Sequence, residues 1–366
     1  MPAEAGPDAL AAPELALLRE LVAIPSVSGS EEAVARFAEA WARAQGLDVV
    51  RDETGVKLEV RGRAAGPTLA LASHLDVVPP GEGWTRDPFA PVVEAGRLYG
   101  RGSGDAKASV AAMLTAAADV AAAGGPGRGR LLVLLGYGEE TRHTSMPAAV
   151  ASVGAIDAAI VGEPTNLDLA VAQRGLMMVD LVARGDQRHA GYADPDANGE
   201  FTNAALALAE DLLRLPHVAR DRAHPVLGHP TITPTMLEAG VSRNVTPPSA
   251  RAVLDIRSTP AWPHAELAAA LRSALRSEVV VTSDRLVPCE TPAGSPLLAA
   301  ARRVRPAARV YGSPTCSDWV FLRHADAVKC GPGTSRRSHT PDECVELAEV
   351  TAARAFYGAV AREYLA

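Results

Sequence analysis

Apolar strand-like runs at fixed places constrain this chain most. "TLALASHLDVV" (68–78), "GRLLVLLGYG" (129–138) and "AIDAAIVGEP" (155–164) read as strands, and "ASVAAMLTAAADVAAAGG" (108–125) reads as a helix among them. Strands of this kind alternating with helices indicate an α/β layer on a mainly parallel sheet. Upstream, Leu15, Leu18 and Leu21 stand at helical spacing. A second helix follows "SVSGSEE", with Ser28 or Ser30 as its cap, a buried stripe of Val34, Phe37, Ala38 and Trp41, and Gly46 at its end.

The pattern changes at Arg174–Gly175. From Leu176 to Leu286 the order reads strand, helix, strand, strand, helix, strand. That βαββαβ order is the ferredoxin-like unit, a complete small domain. The first pattern then resumes, with a helix from about Ser295, a strand near Arg309, a helix near Asp318, the strand "AVKCGPG" and a last helix from about Leu347. The expected organisation is a discontinuous α/β domain in two parts, 1–175 and 287–366, with a second domain, 176–286, inserted.

Composition narrows the function. Of 366 residues, 48% are hydrophobic and 22% charged, which fits a soluble globular protein. The net charge of −7, without a long basic run, argues against nucleic-acid binding. No uncharged apolar stretch reaches the roughly 18 residues of a membrane span. Cys289, Cys316, Cys330 and Cys344 form no C-x-x-C pair, so reduced thiols and a cytoplasmic location are expected. The acidic start of the chain argues against a signal peptide.

Six polar residues, His74, Asp105, Glu139, Glu140, Glu163 and His339, break or follow the strands. His74 and Asp76 lie two apart, so a strand points them to one face; the histidine could bind a metal while the carboxylate orients its ring. The ordinary alternative is a satisfied buried histidine. Asp105 follows three glycines in "YGRGSGDAKAS" and could equally cap the next helix, and Lys107 reads as a solvated helix-start residue. Glu139 and Glu140 follow a buried strand and repel each other unless a proton or cation intervenes. Glu163 follows another strand, and His339 lies in the loop "TSRRSHTPDE", where Asp342 and Glu343 would begin a helix. All fall at carboxyl ends of strands or in the loops after them, where open parallel sheets place ligand sites. Two histidines and three carboxylates suit a pair of first-row metals, with one carboxylate bridging. Of two adjacent glutamates, one can bind metal while the other serves as general base.

The ordered set "SHLDVVPPGEGW", "LYGRGSGDAKAS", "GYGEE", "VGEPT" and "CGPG…SHTPDE" resembles the co-catalytic dizinc amidohydrolases and metallopeptidases. This family includes acetylornithine deacetylases, succinyl-diaminopimelate desuccinylases, aminoacylases and glutamate carboxypeptidases. The resemblance covers nearly the whole chain. It implies two Zn²⁺ per subunit, with Co²⁺ as a substitute: His74 and Glu163 on one, Glu140 and His339 on the other, Asp105 bridging. It implies Glu139 as base and proton donor, Asp76 as support for His74, and His189 on the oxyanion. Asn244 and Arg257 would hold the substrate's α-carboxylate, and Gly333 would contact substrate through its backbone. The implied activity is cleavage of an N-acyl-L-amino acid, acetylornithine deacetylase-like, in amino-acid biosynthesis. Alternatives are N-acyl-lysine or N-acetylcitrulline deacylation, succinyl-diaminopimelate desuccinylation, and carboxypeptidase action on small peptides or glutamate. A homodimer through the inserted domain is also implied. Two departures stand out: Ala108 occupies a common glycine position, and "TRHTSMPAA" replaces a glycine-rich run. His143 in that loop is expected to be exposed rather than a ligand.

Overall fold

A computed structural model describes residues 10–193 and 201–366. The chain forms two compact units. The first comprises residues 10–171, 291–311 and 317–366; the second comprises 172–193, 201–290 and 312–316.

The first unit opens with α1 (Pro13–Ala23) and α2 (Glu32–Ala44). Neither candidate serine caps α2. Glu31 takes the N-cap position without a side-chain cap. A bridge between Val27 and Val77 instead carries Ser28 to Asp76, and its hydroxyl donates to that carboxylate at 2.7 Å. Next come β1 (Asp48–Asp52), β2 (Gly55–Arg61), β3 (Thr68–His74), β4 (Val92–Glu94), β5 (Arg97–Tyr99), α3 (Lys107–Ala122), β6 (Arg130–Gly136), α4 (Ser145–Ser152), β7 (Ala158–Val161) and β8 (Leu169–Gln173).

The second unit holds β9 (Leu176–Arg184), α5 (Ala204–Arg214), β10 (Thr231–Ala239), β11 (Ser249–Arg257), α6 (His264–Ala274) and β12 (Glu278–Leu286). The chain then runs through β13 (Cys289–Glu290), α7 (Pro296–Val304), β14 (Val310–Ser313), β15 (Asp326–Lys329), β16 (Cys344–Glu346) and α8 (Leu347–Tyr364). Where a helix was expected near Asp318, a 3₁₀ turn spans Asp318–Leu322.

The central sheet runs β1-β2-β6-β3-β7-β15-β8. Its middle pairs, β6 with β3, β3 with β7 and β7 with β15, are parallel. Every residue of β3 and β7 is buried. Covered on both faces, such strands read as unbroken apolar runs, which is why they stood out in the sequence. The alanine-rich α3 packs against α1 and α8. Glycines after the strands let it come close: a Cβ on Gly162 would lie 2.4 Å from Met113 Cε, and one on Gly331 would lie 2.5 Å from Ser109 Oγ.

A small sheet, β16-β5-β4, lies beside the Asp105 loop. The second unit has an antiparallel sheet, β10-β11-β9-β12. Strands β9 and β11 alternate between buried and part-buried residues, and their buried side chains form a core with α5 and α6. Among the described residues, no helix is long and apolar enough to cross a membrane.

Candidate metal centre

Register assembles the site. His74 ends β3 opposite Gly136, the last residue of β6, and Ala72 pairs with Val161, the last residue of β7. The loops after these strands therefore leave from one edge and carry Asp76, Glu139, Glu140 and Glu163 together. Asp105 precedes α3 and leaves the N-cap position to Ala106. Its carboxylate is thus free to face two histidines. Oδ1 lies 3.4 Å from His74 Nε2, and Oδ2 lies 3.7 Å from His339 Nε2. Glu163 Oε1 is 3.8 Å from His74 Nε2, and Glu140 is 3.0 Å from His339 Nε2.

His74 carries the clearest sign of a ligand role. Its Nδ1 lies 3.0 Å from the Asp76 carbonyl, which only accepts, so Nδ1 carries the hydrogen. Its Nε2, turned toward Asp105 and Glu163, is a buried atom with no partner at hydrogen-bond distance. Donors 3.4 to 3.8 Å apart around it approach the roughly 3.3 Å edge of a tetrahedron with metal–ligand bonds of about 2.05 Å. His74, Asp105 and Glu140 each offer an atom within 4.8 Å of the others. The donors fit two divalent cations, with Asp105 shared.

Electrostatics agree. Burial, then the charge of Glu163, holds Glu139 well above the usual carboxylate range. Burial, then Asp105, pushes Glu163 up to about 8. Burial also acts to raise Asp105, but the His74 ring beside it holds it below its ordinary value. Burial works against a charged His74, yet Asp105 and Asp76 raise it well above the usual imidazole range, and Glu140 raises His339. Crowded carboxylates in a dry site are a setting in which a bound cation is favourable.

Three supporting residues differ from expectation. The Asp76 carboxylate lies 3.4 Å from His74 Nδ1, beside the carbonyl contact, and also reaches the next loop. It accepts from the N–H groups of Glu139 and Glu140 at 3.0 and 3.1 Å and from Ser28. Charge on His74 and these donors outweigh its burial and lower it to about 2. Asp76 thus braces the Glu139–Glu140 segment as much as the ring.

Lys107 is fully buried, not solvated, and donates to the carbonyls of Leu21 and Ile24 at the end of α1. Glu343 starts no helix. It is buried and accepts from Arg101, from Gly102 N–H, and from Gly104 and Asp105 N–H at 2.9 and 3.0 Å. The pairing of β16 with β5 places it there, four residues from His339. One carboxylate therefore ties the His339 loop to the backbone of Asp105.

His143 is half-buried, where exposure was expected. Its Nδ1 lies 3.0 Å from Asp318 Oδ1 and 3.7 Å from Glu139 Oε1. Gly333 donates to Glu349 and accepts from Asn166, so its backbone groups are already engaged.

In the second unit, the Ala190 N–H donates to the Asn244 carbonyl at 2.8 Å and His189 bridges Val245, bringing those two segments together. Both His189 and Asn244 are exposed. Arg257 pairs in bidentate fashion with Asp255 at 2.7 and 3.0 Å, so its fork faces a carboxylate of its own strand. Asp318, Glu343 and Ser28 escaped sequence reasoning because their partners are distant in the chain. The one available signal was the spacing of Glu343 from His339.

Comparison with known proteins is consistent with this geometry. The profile described as Peptidase family M20/M25/M40 matches residues 70–363. A succinyl-diaminopimelate desuccinylase of Methylorubrum populi is 30% identical, covering 96% of this chain and 98% of that protein. Another from a Methylobacterium species is 34% identical over 71% of this chain and 70% of its own length. The crystal structure of the aminopeptidase PepT of Bacillus cereus shares the fold, with a TM-score of 0.80 at 19% identity over 96% of this chain and 98% of that one.

Proposed function

The chain belongs to the M20/M25/M40 peptidase family, and from that premise we propose that it is a two-metal hydrolase of N-acyl amino acids. The observation that carries this reading is Asp105, whose two oxygens face different histidines while His74 Nε2 stays buried and unpartnered. His74 and Glu163 would hold one Zn²⁺, Glu140 and His339 the other, with Asp105 between them. When bound, such ions polarise the amide carbonyl and lower the pKa of water.

Glu139 lies beside this cluster, and its carboxylate is held high by burial. A base so tuned takes a proton from water and returns it to the leaving amine near neutral pH. Asp76 orients Glu139 through its backbone N–H. In the second unit, His189 and Asn244 form one polar edge that would meet the oxyanion and the substrate's carboxylate, and Arg257 would exchange Asp255 for that carboxylate. Exposed Leu206, Leu213, Met236, Leu237 and Val241 there support a homodimer through this unit.

For the acyl group, the relatives' names favour succinyl-diaminopimelate over the acetylornithine expected from the motifs. The test is kcat/KM across N-succinyl, N-acetyl and dipeptide substrates with added Zn²⁺ or Co²⁺. Metal-dependent turnover with preference for N-succinyl-diaminopimelate is expected. Turnover that survives complete chelation would reject the metal reading. Preference for N-acetylornithine would move the substrate assignment and leave the chemistry standing.

A further inference from the structure

One group beside the base has no part in the scheme above. His143 sits at φ +48°, in the left-handed region that glycine adopts most readily. The turn that holds it there is built on one carbonyl: Gly138 O accepts from Thr141, Arg142 and His143 N–H at 3.4, 3.0 and 2.8 Å. This folds the loop back so that His143 stands over Glu139, with Nδ1 3.7 Å from its Oε1.

Behind the ring is Asp318, a buried carboxylate at the start of the 3₁₀ turn. It lies 3.0 Å from the same Nδ1. Because a carboxylate accepts, Nδ1 carries the hydrogen and presents it between two acids. Asp318 is itself confined by the end of β6, where a Cβ on Gly136 would come 3.5 Å from its Oδ2.

Atoms of Glu139, His143 and Asp318 all lie within 4.8 Å of one another. Two carboxylates that close, in a place with little water, repel unless a donor stands between them. A histidine held at positive φ by the Gly138 turn, with its hydrogen in that gap, is placed to face both acids. We propose that His143, clasped by Asp318, is a positioning residue that fixes the Glu139 carboxylate beside the metal cluster. The inference rests on the hydrolase reading of Glu139.

The test compares His143→Gly, His143→Asn and Asp318→Asn with the wild-type holoenzyme, measuring kcat, KM, metal content and thermal midpoint. Glycine relieves the backbone at this φ. A packing role would therefore be betrayed by a lowered midpoint, whereas positioning leaves the midpoint equal or higher. The expected result for His143→Gly is two bound metals, an unchanged KM and a kcat lower by about 10- to 100-fold, the usual effect of losing a supporting contact.

His143→Asn, which keeps a donor toward Asp318, should fall between wild type and glycine. Asp318→Asn should lower kcat with the histidine still present. Wild-type kcat in His143→Gly overturns the proposal and leaves the hydrolase reading intact. A third metal equivalent bound by wild type and lost in His143→Gly also overturns it, by making the trio a ligand set. A wild-type protein inert toward the whole substrate panel removes the hydrolase reading and this inference with it.

Discussion

At the scale of single residues, adjacent carboxylates do different work because their surroundings differ. Glu140 lies 3.0 Å from His339, within a donor set. Glu139 is buried beside that set. Glu139→Gln should therefore keep two metals by elemental analysis and lose about 10²- to 10⁴-fold in kcat, the usual worth of a general base. Undiminished hydrolysis by that variant would remove Glu139 from the role.

Glu343 makes a different prediction. Its carboxylate carries four donors, and an amide can accept from only one side. Glu343→Gln should weaken metal binding by about 10- to 100-fold, measured by competition with a chromophoric chelator. Asp342→Asn, one residue away on a surface contact with Thr85, should leave it unchanged.

At the scale of elements, the site depends on α3 lying close to the carboxyl ends of β7 and β15. Ala111, Ala112, Ala116 and Ala117 are completely buried. A larger side chain there must displace the sheet or the flanking helices. Ala116→Leu should cost about 1–3 kcal/mol by overpacking, read from chemical denaturation. Gly331→Ala acts closer to the chemistry, because its Cβ would meet Glu163 O at 2.6 Å. That clash should shift Glu163 and lower metal content as well as stability. The helix was legible in the sequence because its apolar run is long. Its closeness to the sheet was not, since that follows from Gly162 and Gly331 facing Ser109 and Met113.

At the scale of the whole molecule, stability should depend on pH differently with and without metal. In the metal-free fold Glu163 keeps its proton up to about pH 8, against an ordinary value of 4.5. Between those values the folded chain binds a proton that the unfolded chain has lost, so stability falls as pH rises through that window. Bound cations take the proton's place, and the metal-loaded protein should show a flatter profile. Thermal midpoints from pH 4.5 to 8.5, with and without Zn²⁺, would show it; parallel curves would contradict the electrostatic account.

The α/β class, the inserted βαββαβ order and the six polar residues at strand ends were all readable from the chain. Each is a local pattern: apolar runs, helical spacing, a charge where a strand stops. Which side chains hold one another was decided only by the tertiary structure. Ser28 turned from cap to partner of Asp76, Glu343 from helix start to tie on the Asp105 loop, and His143 from exposed loop residue to neighbour of the base. The longest of those contacts joins segments 239 residues apart. No periodicity records such pairs, because they arise from strand register and from where loops leave the sheet.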